Sequence, residues 1–107
     1  NLDEEVESLS GGIDREAIRR VVNAQKKVIR FCYERELRGD SSLQGRVVLE
    51  WKIGESGRVL ASRVKSSSLG NSRVGQCIVG QLKSWRFPEP TGNAVAVVAF
   101  PFVFTAR

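Results

Sequence analysis

The apolar pattern of this 107-residue chain predicts an α+β domain of order α-β-β-α-β. It would have a three-stranded antiparallel or mixed sheet with two helices packed on one face. Three observations carry that expectation. A helical-period apolar stripe runs between residues 13 and 38. A period-two strand pattern over 47–53 is followed by a GESG turn and a return strand. A second helical stripe then precedes a long apolar run, 94–104.

Residues 1–12, NLDEEVESLSGG, are acidic and then rich in serine and glycine, the composition of a flexible linker or tail. The folded domain is expected over 13–107. Ile13 to Arg38 reads as one helix. Asp14 is placed to cap it, and Ile13 and Ile18 have the spacing of a hydrophobic staple. Ile18, Val21, Val22, Val28, Ile29, Cys32 and Leu37 form its buried stripe, and Arg15, Arg19, Arg20, Lys26, Lys27 and Arg30 its basic face.

Val47, Leu49, Trp51 and Ile53 share one side of a strand, with Arg46, Val48, Glu50 and Lys52 on the other. Arg58–Ser66 returns. Asn71 or Ser72 then caps a helix reaching to about Ser84, with Val74, Cys77, Ile78, Leu82 and Trp85 on its stripe. Gly75 and Gly80 weaken that helix and suit close packing on the sheet. In the stretch KSWRFPEPTG, Pro88 forces Phe87 out of the helix, so Trp85 and Phe87 read as core and stop signal rather than as a stacking platform for bases. The final strand is apolar on both faces, and Pro101 within it marks a sheet edge. The 47–53 strand should then lie at the centre, with 58–66 and 94–104 as the two edges.

Net charge is +5, but 17 bases against 7 acids follow Asp14, so the body is strongly basic and suits an acidic partner. No apolar run is long enough to cross a membrane. The chain starts at asparagine and reads as a piece of something longer. It has no histidine, no phosphate-binding loop and no base beside the serine run Ser66–Ser68, so a binding module rather than an enzyme is expected, with no cofactor. The two cysteines, Cys32 and Cys77, both sit on buried stripes. They are either two free thiols in the core or a disulfide, the latter implying an oxidising compartment. Without histidine they make only half a zinc shell, so no metal site is expected.

The run GRVVLEWKIGESGRVLASRVKSS, then a helix closing on KSWRFPEP and a last apolar strand, resembles the TonB C-terminal domain family. The matching positions are Gly45, Val47, Gly57, Val59, Trp85, Arg86, Phe87 and Pro90, within residues 40–105. IRFCYEREL and the cysteine of GQCIVGQLKSWRFP look like a myxobacterial and deltaproteobacterial branch that includes gliding-motility proteins. The resemblance implies a periplasmic domain of an inner-membrane-anchored transducer, energised by proton-driven motor proteins through its missing N-terminal part. It implies as partner an outer-membrane receptor or motility protein, gripped by strand addition.

On that reading the partner would pair along Val95, Val97, Ala99, Pro101 and Val103. Arg63, Lys65, Lys83 and Arg86 would favour an acidic segment. A homodimer closing the same edge is a further expectation. Nucleic-acid binding by a basic α+β domain is the alternative, disfavoured because Trp51 falls on the core side of its strand. Another is a peptidoglycan- or lipid-surface tether using the basic helix face.

Overall fold

The computed structural model describes residues 6–92 and 94–106. Its elements are β1 (Ser8–Ser10), α1 (Arg15–Ala24), α2 (Lys26–Leu37), β2 (Gly45–Ile53), β3 (Val59–Ser67), α3 (Ser72–Leu82) and β4 (Ala96–Phe104), with a 3-10 turn at Glu55–Gly57. The α+β class and the central position of β2 between β3 and β4 are as expected, and all strand pairs are antiparallel.

Among the described residues the sheet has four strands rather than three, in the order β1-β4-β2-β3. The extra strand comes from the stretch read as a flexible tail. Residues 1–5 of that stretch lie outside the described residues. Val6 is buried, Ser8–Ser10 pair with Val97–Ala99, and Gly12 bridges Thr91.

The expected single helix over 13–38 is two helices broken at Gln25. The amide of Gln25 bonds back to Val22 and Asn23, and Ile29 restarts the ladder from the carbonyl of Gln25. No glycine or proline marks the break. Arg15 on α1 donates to the carbonyl of Val6 beside β1, whereas α2 is bonded covalently to α3. The two segments answer to different neighbours. Asp14 occupies the N-cap of α1, but its carboxylate accepts no capping bond, contrary to expectation. At α3, Asn71 is the cap and accepts from the amide of Arg73.

The core lies between one face of the sheet and the helices. Ile18 and Val22 of α1, Ile29 and Cys32 of α2, and Val74, Ile78 and Leu82 of α3 meet Val47, Leu49, Trp51 and Ile53 of β2. From β4 they meet Ala96, Val98, Phe100, Phe102 and Phe104. Burial on this scale is the main stabilising term, about 1.5–3 kcal/mol for each large apolar side chain. Gly75 lets α3 approach the sheet: a Cβ there would stand 2.8 Å from Cγ2 of Val64. Gly80 faces open space and has no such role. Cys32 and Cys77 form a disulfide between α2 and α3, with Cα atoms 5.6 Å apart.

Tyr33 fixes the end of β4. Its ring stacks on Phe104 with centroids 4.7 Å apart, and its hydroxyl donates to the carbonyl of Leu43. Burial, helped by the nearby Asp40 carboxylate, raises its hydroxyl above the ordinary phenol range. A raised folded value means that the neutral phenol's contribution is complete below about pH 10 and is lost as pH climbs through the folded value. Absorbance titration of the intact domain should place phenolate formation above that of free tyrosine. Tyr33→Phe should abolish the step and cost about 1 kcal/mol. A midpoint at the free-tyrosine value would contradict the buried contact.

Candidate protein-binding edge

Strand addition requires a sheet margin whose outward amides and carbonyls have no partner. Pro101 reveals which groups point outward. It faces Val48 in the β2–β4 ladder and has no N–H, so that pair is of the non-hydrogen-bonded kind. Val48 therefore turns its backbone groups to β3, and by alternation so do Arg46, Glu50 and Lys52. The amide of Ser68 donates to Arg46 at 2.8 Å, as this phase demands. On β3 the inward bonds fall to Ala61, Arg63 and Ser66, which oppose Lys52, Glu50 and Val48. Ser62 and Val64 direct their backbone groups away from the sheet. Among the described residues no element pairs with β3 along that side between Ala61 and Ser67.

The same phase applied to β4 turns Val97, Ala99, Pro101 and Val103 away from β2. The structure corrects the expectation that these residues form an open edge. Val97 and Ala99 are paired with Ser10 and Ser8 of β1, and the amide of Glu7 donates to Ala99 at 2.8 Å. The paired stretch of β1 reaches Ala99, two residues short of Pro101, which resolves the apparent conflict of a proline in an interior strand. Pro101 and Ala99 are buried, Val103 is half-buried, and Val95 is exposed but precedes the strand. The five residues do not form one accessible row.

The motif residues have structural roles. Trp85, Phe87, Val47 and Pro90 are buried, and Val59 is half-buried. Phe87 packs on Trp51 with ring centroids 5.8 Å apart. Gly57 permits the backbone of Phe87 to cross directly over the hairpin turn, donating its amide to the Gly57 carbonyl at 3.0 Å. Arg86 is exposed and lies opposite Arg58 in an isolated antiparallel bridge. Among the described residues Phe31 on α2, 54% exposed, is the one aromatic outside the core, and the sheet's open face carries none.

That open face is charged. Glu7 meets Arg46 at 3.3 Å and Lys65 at 3.6 Å, tying the segment before β1 across to β2 and β3. Arg63 meets Glu50 at 2.9 Å. Such exposed pairs contribute little each, about 0–1 kcal/mol. On the other side of β3, α3 packs on the strand where Gly75 meets Val64. The two elements leave a groove of about 440 Å³ lined by Val47, Val64, Ser67, Asn71, Gly75 and Gln76, among others. Its rim is held by Glu36 of α2, which accepts from the Asn71 side chain at 3.2 Å and lies 3.6 Å from Arg73. The Asn71 hydrogen bond, with Arg73 and Arg35 nearby, holds the Glu36 carboxyl below its usual range.

No family model matches the chain, and no solved structure matches it. Over 91 residues, 85% of the chain, it is 36% identical to the tyrosine-protein kinase MasK of Myxococcus xanthus. The chain spans 13% of the length of that protein. The similarity is thus to a segment of a much larger protein. The resemblance to the TonB C-terminal domain stays with the motif residues named above.

Proposed function

We propose that this chain is a non-catalytic binding module that takes an extended segment of a partner protein as a fifth strand along the outer edge of β3. The observation that carries the reading is the outward backbone of Ser62 and Val64 on a terminal strand of the sheet. Backbone bonds supply the grip and alternate side chains the choice of partner. The role is that implied by the TonB-like motif. The module is the periplasmic end of an inner-membrane-anchored transducer, passing proton-derived force to an outer-membrane receptor or motility protein. A pull along paired strands is shared by several hydrogen bonds, each worth about 1 kcal/mol net.

Two further observations support this reading. The Cys32–Cys77 disulfide suits an oxidising compartment such as the periplasm. The similarity to a small part of MasK suits a recognition unit carried by larger proteins, and the kinase activity in that name is not assigned to these residues.

The test is site-specific photo-crosslinking in the full-length parent protein, in its own cells. A crosslinker at Leu60, on β3 and 58% exposed, should trap one envelope protein, whereas one at Phe31 on α2 should not. Ser62→Pro removes an outward amide without touching the bonds to β2, and should abolish the crosslink while the circular dichroism spectrum is unchanged. Trapping from Phe31 alone, or trapping from Leu60 that survives Ser62→Pro, would overturn the assignment.

A further inference from the structure

Resting on the β3 reading above, we infer that the segment taken up is acidic at one end and apolar at the other. Its acidic side chain is met by Arg58 and Arg86, and its apolar side chain fills the groove between β3 and α3.

The arginine pair supplies the first half of the inference. Arg58 and Arg86 stand directly opposite each other across a bridge, where Cβ atoms are about 5 Å apart. Like charges so placed are destabilising. Among the described residues neither has a carboxylate within 4.0 Å, and Lys83 at the end of α3 has none either. Elsewhere on the sheet Arg46, Arg63 and Lys65 each have an acidic neighbour, and Lys52, which has none within 4.0 Å among the described residues, has no second cation paired opposite it. The repulsion between Arg58 and Arg86 is therefore left for an external anion to relieve.

Position makes that anion part of the same ligand. The segment through Arg86 and Phe87 pairs with Gly57 and Arg58, closing the outer side of the hairpin where β3 begins. A strand added to β3 must end or turn there, beside Arg58 and Arg86.

The groove supplies the second half. It opens at the other end of β3, beside Val64 and Ser67, with Val47 and Gly75 in its wall. An added strand would direct alternate side chains toward the helix side, as Val64 does, and one of them would enter this space. From Val64 back to Arg58 is about six residues, roughly 20 Å of extended chain. The ligand is thus an extended peptide whose apolar anchor and acidic residue are separated by about that distance.

Fluorescence anisotropy with labelled peptides on the intact, oxidised domain tests this. The probes are of about nine alternating threonines and valines, closing on paired glutamates at either the N-terminal or the C-terminal end. One of the two should bind, about tenfold more tightly than its lysine counterpart, with an affinity that falls as salt is raised. Arg58→Glu with Arg86→Glu should reverse that preference. Gln76→Trp, an exposed helix position at the groove, should weaken the valine probe about tenfold and leave an all-threonine version unchanged.

Loss of binding in Ser62→Pro with no effect of Gln76→Trp or of the arginine changes would overturn the groove and charge assignment while leaving the β3 edge standing. Binding unaffected by all three, equal binding of acidic and basic probes, or binding of neither would overturn this inference. Retention in a folded Ser62→Pro would in addition remove the edge reading.

Discussion

Gly57→Ala is expected to lower the stability of the domain by about 3 kcal/mol or more. Gly57 has φ of +74°, a conformation that L side chains rarely adopt. A Cβ there would stand 1.6 Å from the carbonyl oxygen of Phe87 and 2.7 Å from its carbonyl carbon. Both are backbone atoms and cannot swing aside. Relief requires the KSWRFP segment to lift from the hairpin. That breaks the Phe87–Gly57 hydrogen bond, pulls Phe87 off Trp51 and separates Arg58 from Arg86. Urea denaturation followed by circular dichroism measures the loss. Gly80→Ala is the control. Its Cβ would enter open space on a helix, so the change should be neutral or stabilising by up to about 1 kcal/mol. A Gly57→Ala protein as stable as the parent would refute the close crossing.

Breaking the Cys32–Cys77 bond should have a comparable effect. The cysteines are 45 residues apart, and a loop of that length is worth about 4 kcal/mol in the chain-entropy account. A small domain has a total stability of about 5–15 kcal/mol, so the reduced protein should melt some 15–25 °C lower. Cys32→Ala with Cys77→Ala should match the reduced protein and lose any further response to reductant. Thiol counting on unreduced, denatured protein should find none free. Equal melting temperatures with and without reductant would show that α2 and α3 are held by packing alone. Because α3 forms one wall of the groove beside β3, the same variants should weaken peptide binding there.

Much of the fold was legible because it is periodic. The alternation of Val47, Leu49, Trp51 and Ile53 specified β2 and its buried face, and the stripe through Val74, Ile78 and Leu82 specified α3. Both cysteines lay on such stripes, which left a disulfide as one of two readings, and the bond is present. Trp85 reads as core because it extends the stripe of α3, and Phe87 as the stop before Pro88; both are buried.

The candidate site was less legible. Pro101 marks a position that donates no ladder hydrogen bond, but it does not make β4 an edge strand. β1 pairs with Val97–Ala99 and stops two residues short of Pro101, so the proline sits in a strand that has a neighbour on each side. Ser62 and Val64 carried no sequence signal at all, since an unpaired amide is a property of strand order and not of residue type. The Arg58–Arg86 pair was equally hidden, because its members are far apart in the chain.

The sequence by itself determined the buried face of β2, the buried stripe of α3 and where the hairpin turns. These follow from local sterics and from the period of apolar side chains, which nearby residues set. Only the tertiary structure decided that Ser8–Ser10 are a strand, that the first helix breaks at Gln25, and that the open margin belongs to β3. A three-residue polar strand has no period to read. Its conformation is imposed by hydrogen bonds from a strand almost ninety residues away, and those bonds exist only once the sheet has formed.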